Sequence, residues 1–134
     1  ALPILTRKQV QDAIRRGNSL AAADLRGADL SGIVFDGADL QGAKMAEANL
    51  SRCSFQGTDL RGASLWHANL KDAVLDGAVL DGADLDFTNL EGCTVKGARV
   101  RKAIFPLNRI DMDSILDAVR SGKRLQMAPQ GLDD

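Results

Sequence analysis

Few side chains in this sequence could do nucleophilic, redox or acid–base chemistry. There is one histidine, His67, and there are two cysteines, Cys53 and Cys93, in 134 residues. His67 would serve a Ser-His-Asp relay only if a hydroxyl and a carboxylate converged on it. The cysteines would form a disulfide only with Cα atoms within about 7 Å, or a zinc site only with further ligands close by. Neither a Gly-rich phosphate loop between a strand and a helix nor a paired-carboxylate signature is present. The glycines, among them Gly27, Gly32, Gly37 and Gly42, are spaced as turns.

What can converge depends on the elements that carry these residues, and one pattern governs most of the chain. Every fifth residue from Leu25 to Phe105 is apolar, through Leu30, Phe35, Leu40, Met45 and Leu50 to Val95 and Val100. Two residues before each stands a small or modest one, as in Ala23, Ala28, Ile33, Ala38, Ala43, Ala48, Cys53, Thr58 and Ala63. A period of five matches neither the 3.6 of a helix nor the 2 of a strand. It marks a repeated tertiary unit, which sets the architecture before any propensity is consulted. One Trp, no Tyr and recurrent Ala and Leu suit many thin layers better than one bulky core.

The motifs Ala23-Asp24-Leu25-Arg26-Gly27, Ala38-Asp39-Leu40-Gln41-Gly42, Ala48-Asn49-Leu50 and Ala68-Asn69-Leu70 closely resemble the pentapeptide repeat family, whose pattern is roughly Ala-(Asp/Asn)-Leu-x-x. The resemblance holds one register across residues 19–105. It implies an all-β solenoid: a right-handed quadrilateral β-helix of about four coils, one repeat per side, with short capping α-helices at both ends. The central apolar residue and the small one before it would point inward, and Gly at the last position would ease the turn. Residues twenty apart would then stack. Leu30, Leu50, Leu70 and Leu90 form one inner column, and the Phe35 and Phe55 rings stack in another. Asp29, Asn49, Asn69 and Asn89 form a column that is expected to bond either within itself or to turn backbone. A metal there is disfavoured, because divalent ions want converging oxygens rather than a linear stack.

This layout places the reactive residues apart. Cys53 and Cys93 share a face with Ala73 between them, about 9–10 Å apart from the strand spacing, which is too far for a disulfide. They read as small buried hydrophobes. His67 faces outward on a wall without a cleft. No catalytic, metal-binding or cofactor-binding residue is expected, and no cofactor. The most irregular surface lies on the first face, where the turn positions read Gly27, Glu47, His67, Phe87 beside Arg26, Ala46, Trp66, Asp86. Trp66, His67, Phe87, Asp86 and Glu47 are the candidate protein-interaction patch, since outward aromatics are enriched in binding hot spots. Packing under a terminal helix is the competing use of these rings.

The formal net charge of −1 leaves no global field to steer a polyanion. Asp72, Asp76, Asp81, Asp84, Asp86 and Glu91 make a local acidic patch, followed by the basic cluster Lys96, Arg99, Arg101, Lys102. A basic cluster without interleaved aromatics is weak evidence for nucleic acid. No run approaches the roughly 18 apolar residues of a membrane span, and the start at Ala1-Leu2-Pro3-Ile4 lacks a signal-peptide pattern. The bacterial cytoplasm is the expected compartment.

The chain divides into an N-terminal helical cap over residues 1–18, the repeat over 19–106, a C-terminal helical segment over 107–125 and a flexible tail over 126–134. Thr6 is the expected N-cap of the first helix and Gly17 its stop. The second helix is expected over 112–121, stopped by Gly122. Val10 to Leu20 and Ile115 to Leu125 share the pattern apolar-x-Asp-Ala-apolar-Arg-x-Gly-x-x-Leu. It is either convergence on an amphipathic cap or an adaptor within a larger protein. The expected function is a non-enzymatic scaffold that binds an unidentified protein partner, with no small-molecule substrate and no nucleic acid or membrane span. The alternatives are a passive spacer and a DNA-mimic inhibitor of a topoisomerase. Some members of the family resemble a DNA duplex through a long acidic rod, whereas the acidic patch here is local.

Overall fold

The computed structural model describes residues 3–129. Parallel bridges join residues twenty apart, in four ladders that begin at Asp24, Asp29, Val34 and Asp39. The first runs Asp24–Lys44–Ser64–Asp84–Ile104. Two hydrogen bonds make each step: Leu30 N–H donates to the Asn49 carbonyl and Asn49 N–H to the Ala28 carbonyl, both at 2.9 Å. Between bridges the chain turns, as where Ala48 N–H donates to the Met45 carbonyl at 3.1 Å. The third turn residue sits at left-handed φ, as a type II turn requires. A turn in every five residues leaves each side a single bridge residue. The expected all-β solenoid is therefore built from isolated bridges, with no strand of ordinary length among the described residues.

The apolar register fills the interior. Leu25, Leu30, Phe35, Leu40, Met45, Leu50 and Phe55 are fully buried, and the Phe35 and Phe55 rings lie 5.0 Å apart and 2° from parallel. The inward small positions tolerate polar atoms only where a carbonyl of the solenoid receives them. Cys53 Sγ donates to the Leu30 carbonyl at 3.0 Å and Thr58 Oγ1 to the Phe35 carbonyl at 2.8 Å. Buried donors so matched avoid the desolvation penalty of an orphaned group.

The Asp29–Asn89 column resolves in favour of turn backbone. Asn49 Oδ1 accepts from Ser51 N–H at 3.1 Å, Asn69 Oδ1 from Lys71 N–H at 3.0 Å and Asn89 Oδ1 from Glu91 N–H at 3.0 Å. The N–H two residues on closes an Asx turn locally, whereas the neighbouring amide lies one rung away, about 4.8 Å. Asp24 makes the same turn and is almost wholly buried. The Arg26 guanidinium beside it holds its carboxyl at about 2 against the ordinary 3.8, overcoming the opposing push of burial. Arg61 lowers Asp59 likewise, and the Ser31 and Ser114 N–H groups lower Asp29 and Asp111. Because the folded carboxyls titrate below their unfolded values, the stability they confer is complete above about pH 4 and is lost as pH falls toward 2. Urea unfolding across that window should show a falling midpoint, and Asp24→Asn should flatten the fall.

The ends carry helices. α1 (Arg7–Arg15) starts at a Thr6–Gln9 capping box, and Gly17 follows its C-cap at φ 70°. Leu5 N–H donates to the Asp24 carbonyl and Leu20 N–H to the Asp39 carbonyl, both at 2.9 Å, so the helix sits within one rung's span of chain. α2 (Met112–Ser121) starts at Asp111 and ends at Gly122, φ 79°. The shared pattern plays the same part at both ends, because Val10 and Leu20, like Ile115 and Leu125, are buried. Neither helix is long and apolar enough to cross a membrane.

Beyond α2 the chain returns to the solenoid. Gly92 N–H donates to the Leu125 carbonyl at 2.9 Å, and Leu125 N–H to the Cys93 carbonyl at 2.8 Å. The segment expected as a flexible tail begins tied down. Met127 is buried, its N–H donates to Glu91 Oε2 at 2.7 Å, and Ala128 N–H donates to the Arg109 carbonyl at 2.7 Å. These contacts, with Gly97 N–H donating to the Val119 carbonyl at 2.9 Å, cover one side of the edge that the last rung would otherwise leave open. Residues 130–134 of that segment, like residues 1–2, lie outside the described residues.

Candidate functional site

The repeat puts Cys53, Ala73 and Cys93 on consecutive rungs, with Val74 N–H bonded to the Cys53 carbonyl and Thr94 N–H to the Ala73 carbonyl. Both thiols are buried, and Cys93 Sγ donates to the Leu70 carbonyl at 2.8 Å. Burial pushes the Cys53 thiol up to about 11 and the Cys93 thiol up to about 12. Since the thiolate is the reactive form, the native protein should leave both thiols unlabelled by iodoacetamide at pH 8. Both should label in denaturant, with mass spectrometry as the readout.

The acidic and basic stretches meet in one ion pair among the described residues, Arg99 Nη2 to Asp81 Oδ2 at 2.7 Å, while Asp76 Oδ1 accepts from the backbone N–H of Lys96 at 3.2 Å. Glu91 is taken up by the returning segment at Met127. Among the described residues no three His, Cys, Asp or Glu side chains come together as metal ligands would.

The first-face residues do come together. Trp66 is 39% exposed and Phe87 55% exposed, so neither end helix covers them. His67 lies between the two: its ring is 4.1 Å from Trp66, edge-on, and 5.0 Å from Phe87, stacked at 12°. Trp66 and Phe87 meet edge-to-face at 6.1 Å. Backbone bonds set the spacing, since Glu47 N–H donates to the Trp66 carbonyl at 2.8 Å and His67 N–H to the Asp86 carbonyl at 3.1 Å. Glu47 thus lies one rung before Trp66 and His67, and Asp86 lies one rung after them, beside Phe87. Neither acid has an ion-pair partner among the described residues.

Glu47, His67 and Phe87 hold the left-handed turn position at φ 62°, 59° and 58°. Elsewhere on the solenoid glycine mostly fills that position. A side chain there is strained by about 1–2 kcal/mol. Strain alone does not single out this corner, since Arg52 and Asp72 adopt the same φ on the next one. The aromatic contacts do. Sequence reasoning put Trp66, His67 and Phe87 on one patch but did not supply the stacking of His67 on Phe87 or its edge-on contact with Trp66. It also passed over Ile104 and Leu107, both exposed near the end of this face. The outward position of Ile104, one before the buried Phe105, was readable from the register. Leu107 was not, because Pro106 breaks it.

The arrangement offers flat π faces beside uncompensated carboxylates on a rigid wall. Such a corner offers contact area and negative charge to a binding partner.

Comparison with known proteins supports the repeat reading. A family model described as Pentapeptide repeats matches residues 19–57, 58–97 and 68–105. The crystal structure of a pentapeptide repeat protein from Nostoc PCC 7120 is 34% identical, with TM-score 0.79 over 90% of this chain and 98% of that one. A pentapeptide repeat protein from the cyanobacterium Cyanothece 51142 is 36% identical, with TM-score 0.60 over 62% of this chain and 57% of that one. One from the Arabidopsis thaliana thylakoid lumen is 36% identical, with TM-score 0.58 over 58% of this chain and 54% of that one. This chain therefore spans little more than half the length of the last two. No curated protein matches it.

Proposed function

Because this chain belongs to the pentapeptide repeat family, whose fold is a right-handed quadrilateral β-helix, we propose that it is a non-enzymatic interaction module whose contact surface is the Trp66–His67–Phe87 corner. One observation carries the reading: three aromatic rings cluster on an exposed corner that neither end helix covers. Clustered, rigid aromatics give a partner large contact area at little entropic cost, which is why Trp is prominent among interface hot spots. Residues 19–106 carry the surface in this reading, and the flanking segments 1–18 and 107–125 seal the ends of the solenoid.

A DNA-like acidic rod is disfavoured. Asp24, Asp59 and Asp81 are each paired with an arginine, at 2.7 Å in every case, and the ladders mix acids with other residues, as in Asp24–Lys44–Ser64–Asp84–Ile104 and Asp39–Asp59–Val79–Arg99. The two unpaired thiols suit a reducing compartment, and we place the protein in the bacterial cytoplasm.

Affinity capture with the wild-type protein and with Trp66→Ala tests the module. Loss of a hot-spot Trp should weaken a captured partner by about 2 kcal/mol or more, roughly 30-fold in Kd. Circular dichroism and the melting curve should stay near wild type, because the ring stands outside the core. A Trp66→Ala protein that keeps both fold and partner removes the corner from consideration.

A further inference from the structure

The solenoid contains its own example of how it holds an arginine. On the rung that carries Asp24, Arg26 reaches back over the Asx turn: its Nε and Nη2 meet the two carboxylate oxygens at 2.8 and 2.7 Å. Arg61 forks onto Asp59 in the same way, at 3.0 and 2.7 Å. In both cases an aspartate at the bridge position receives an arginine from two residues on. Asp84 occupies the place of Asp24 in the same ladder, through Lys44 and Ser64. Its Oδ1 closes the same turn, accepting from the N–H of residue 86 at 2.9 Å. Yet residue 86 is Asp, so the arginine is missing and a second carboxylate stands in its place. That doubly acidic place adjoins the exposed rings of Trp66 and Phe87.

We infer that this corner takes an arginine side chain from a partner protein, forked onto the Asp84–Asp86 carboxylates with its guanidinium plane against the aromatic rings. The inference rests on reading the corner as an interaction surface and names the chemistry that the surface selects. Arginine fits better than lysine because its planar fork matches a carboxylate bidentately and stacks on aromatic faces. A purely apolar partner would leave two carboxylates facing it without compensation. Glu47, one rung away on the other side of the rings, extends the same sign of charge. The nearby cations do not satisfy it. Arg101 and Lys102 lie on the next rung, where the Arg101 carbonyl accepts from Gly82 N–H, and among the described residues neither forms an ion pair with Asp84 or Asp86.

Trp66 is the sole Trp, so its fluorescence reports this corner alone. The probe is acetyl-Gly-Arg-Gly-amide, set against the peptide with citrulline in place of arginine, which keeps the shape and loses the charge. The arginine peptide should change Trp66 emission saturably, with an affinity at least 10-fold above that of the citrulline peptide. Asp84→Asn with Asp86→Asn should abolish that preference. Asn preserves the Asx turn, as Asn49 and Asn69 do. If the double variant fails to fold, the wild type titrated between 50 and 500 mM salt makes the same distinction, since the preference must shrink as the charges are screened. Equal affinity for the two peptides, or a preference that survives the double variant or high salt, overturns the inference. A captured partner that still depends on Trp66 while the peptides show no preference defeats this inference and leaves the interaction surface standing. A partner indifferent to Trp66→Ala defeats the surface itself.

Discussion

Phe55→Ala should lower the free energy of unfolding by about 3–5 kcal/mol, the upper range for a truncated core aromatic. Phe55 is fully buried and lies parallel to Phe35 at 5.0 Å. Removing its ring empties most of one layer on that side of the square. The hole cannot close easily, because hydrogen bonds such as Phe35 N–H to the Ser54 carbonyl (2.7 Å) and Phe55 N–H to the Val74 carbonyl (2.7 Å) hold the rungs at a fixed spacing. Cavities that cannot collapse lie at the costly end of the range. A double-mutant cycle with Phe35→Ala should add a coupling of about 0.5–1.5 kcal/mol from the stacked pair. Urea denaturation measures both quantities, and a loss under about 1 kcal/mol for Phe55→Ala would show that the layers relax independently of their spacing.

Leu50→Ala should cost about 2–5 kcal/mol, and Val100→Ala distinctly less. The contrast comes from position along the solenoid. Leu50 is fully buried, and its backbone bonds to the rung of Asn69 on one side while Leu30 bonds to the Asn49 carbonyl on the other. Val100, in the last rung of the register, is only partly buried. Each layer of a solenoid packs on its neighbours alone, so truncation in an interior layer weakens two interfaces and truncation at an end weakens one. Equal losses at Leu50 and Val100 would contradict this nearest-neighbour account. Hydrogen exchange adds an independent measure: Leu50→Ala should reduce protection on both adjoining rungs.

Much of the architecture was legible because the repeat is itself a tertiary pattern. An inward residue every fifth position at Leu25, Leu30 and Phe35 leaves the chain few ways to bury them all. The helix ends were legible for a different reason. Thr6 followed by Gln9, and Gly17 and Gly122 at left-handed φ, are local signals that act within one turn of chain. The order of segment 126–128 was not legible, because the Pro129, Gly131 and Asp133 that follow it suggest looseness. It comes from Leu125 and Met127 meeting a rung more than thirty residues earlier in the chain.

The candidate corner divides in the same way. Outward positions for Trp66 and Phe87 follow from counting in fives. The stacking of His67 against Phe87 depends on the distance between rungs and on ring orientations, which no spacing rule supplies. The Asp84 position without its arginine becomes visible only when residues sixty apart are set in one ladder beside Asp24 and Arg26.

The order of residues is thus enough for the period, the inward and outward positions and the two helices, because all of these follow from hydrophobic burial and local turn chemistry. Which outward groups meet, how the last rung is closed and which carboxylates lack a cation were settled in three dimensions. Those outcomes depend on contacts between rungs, where residues distant in the chain come within hydrogen-bonding reach.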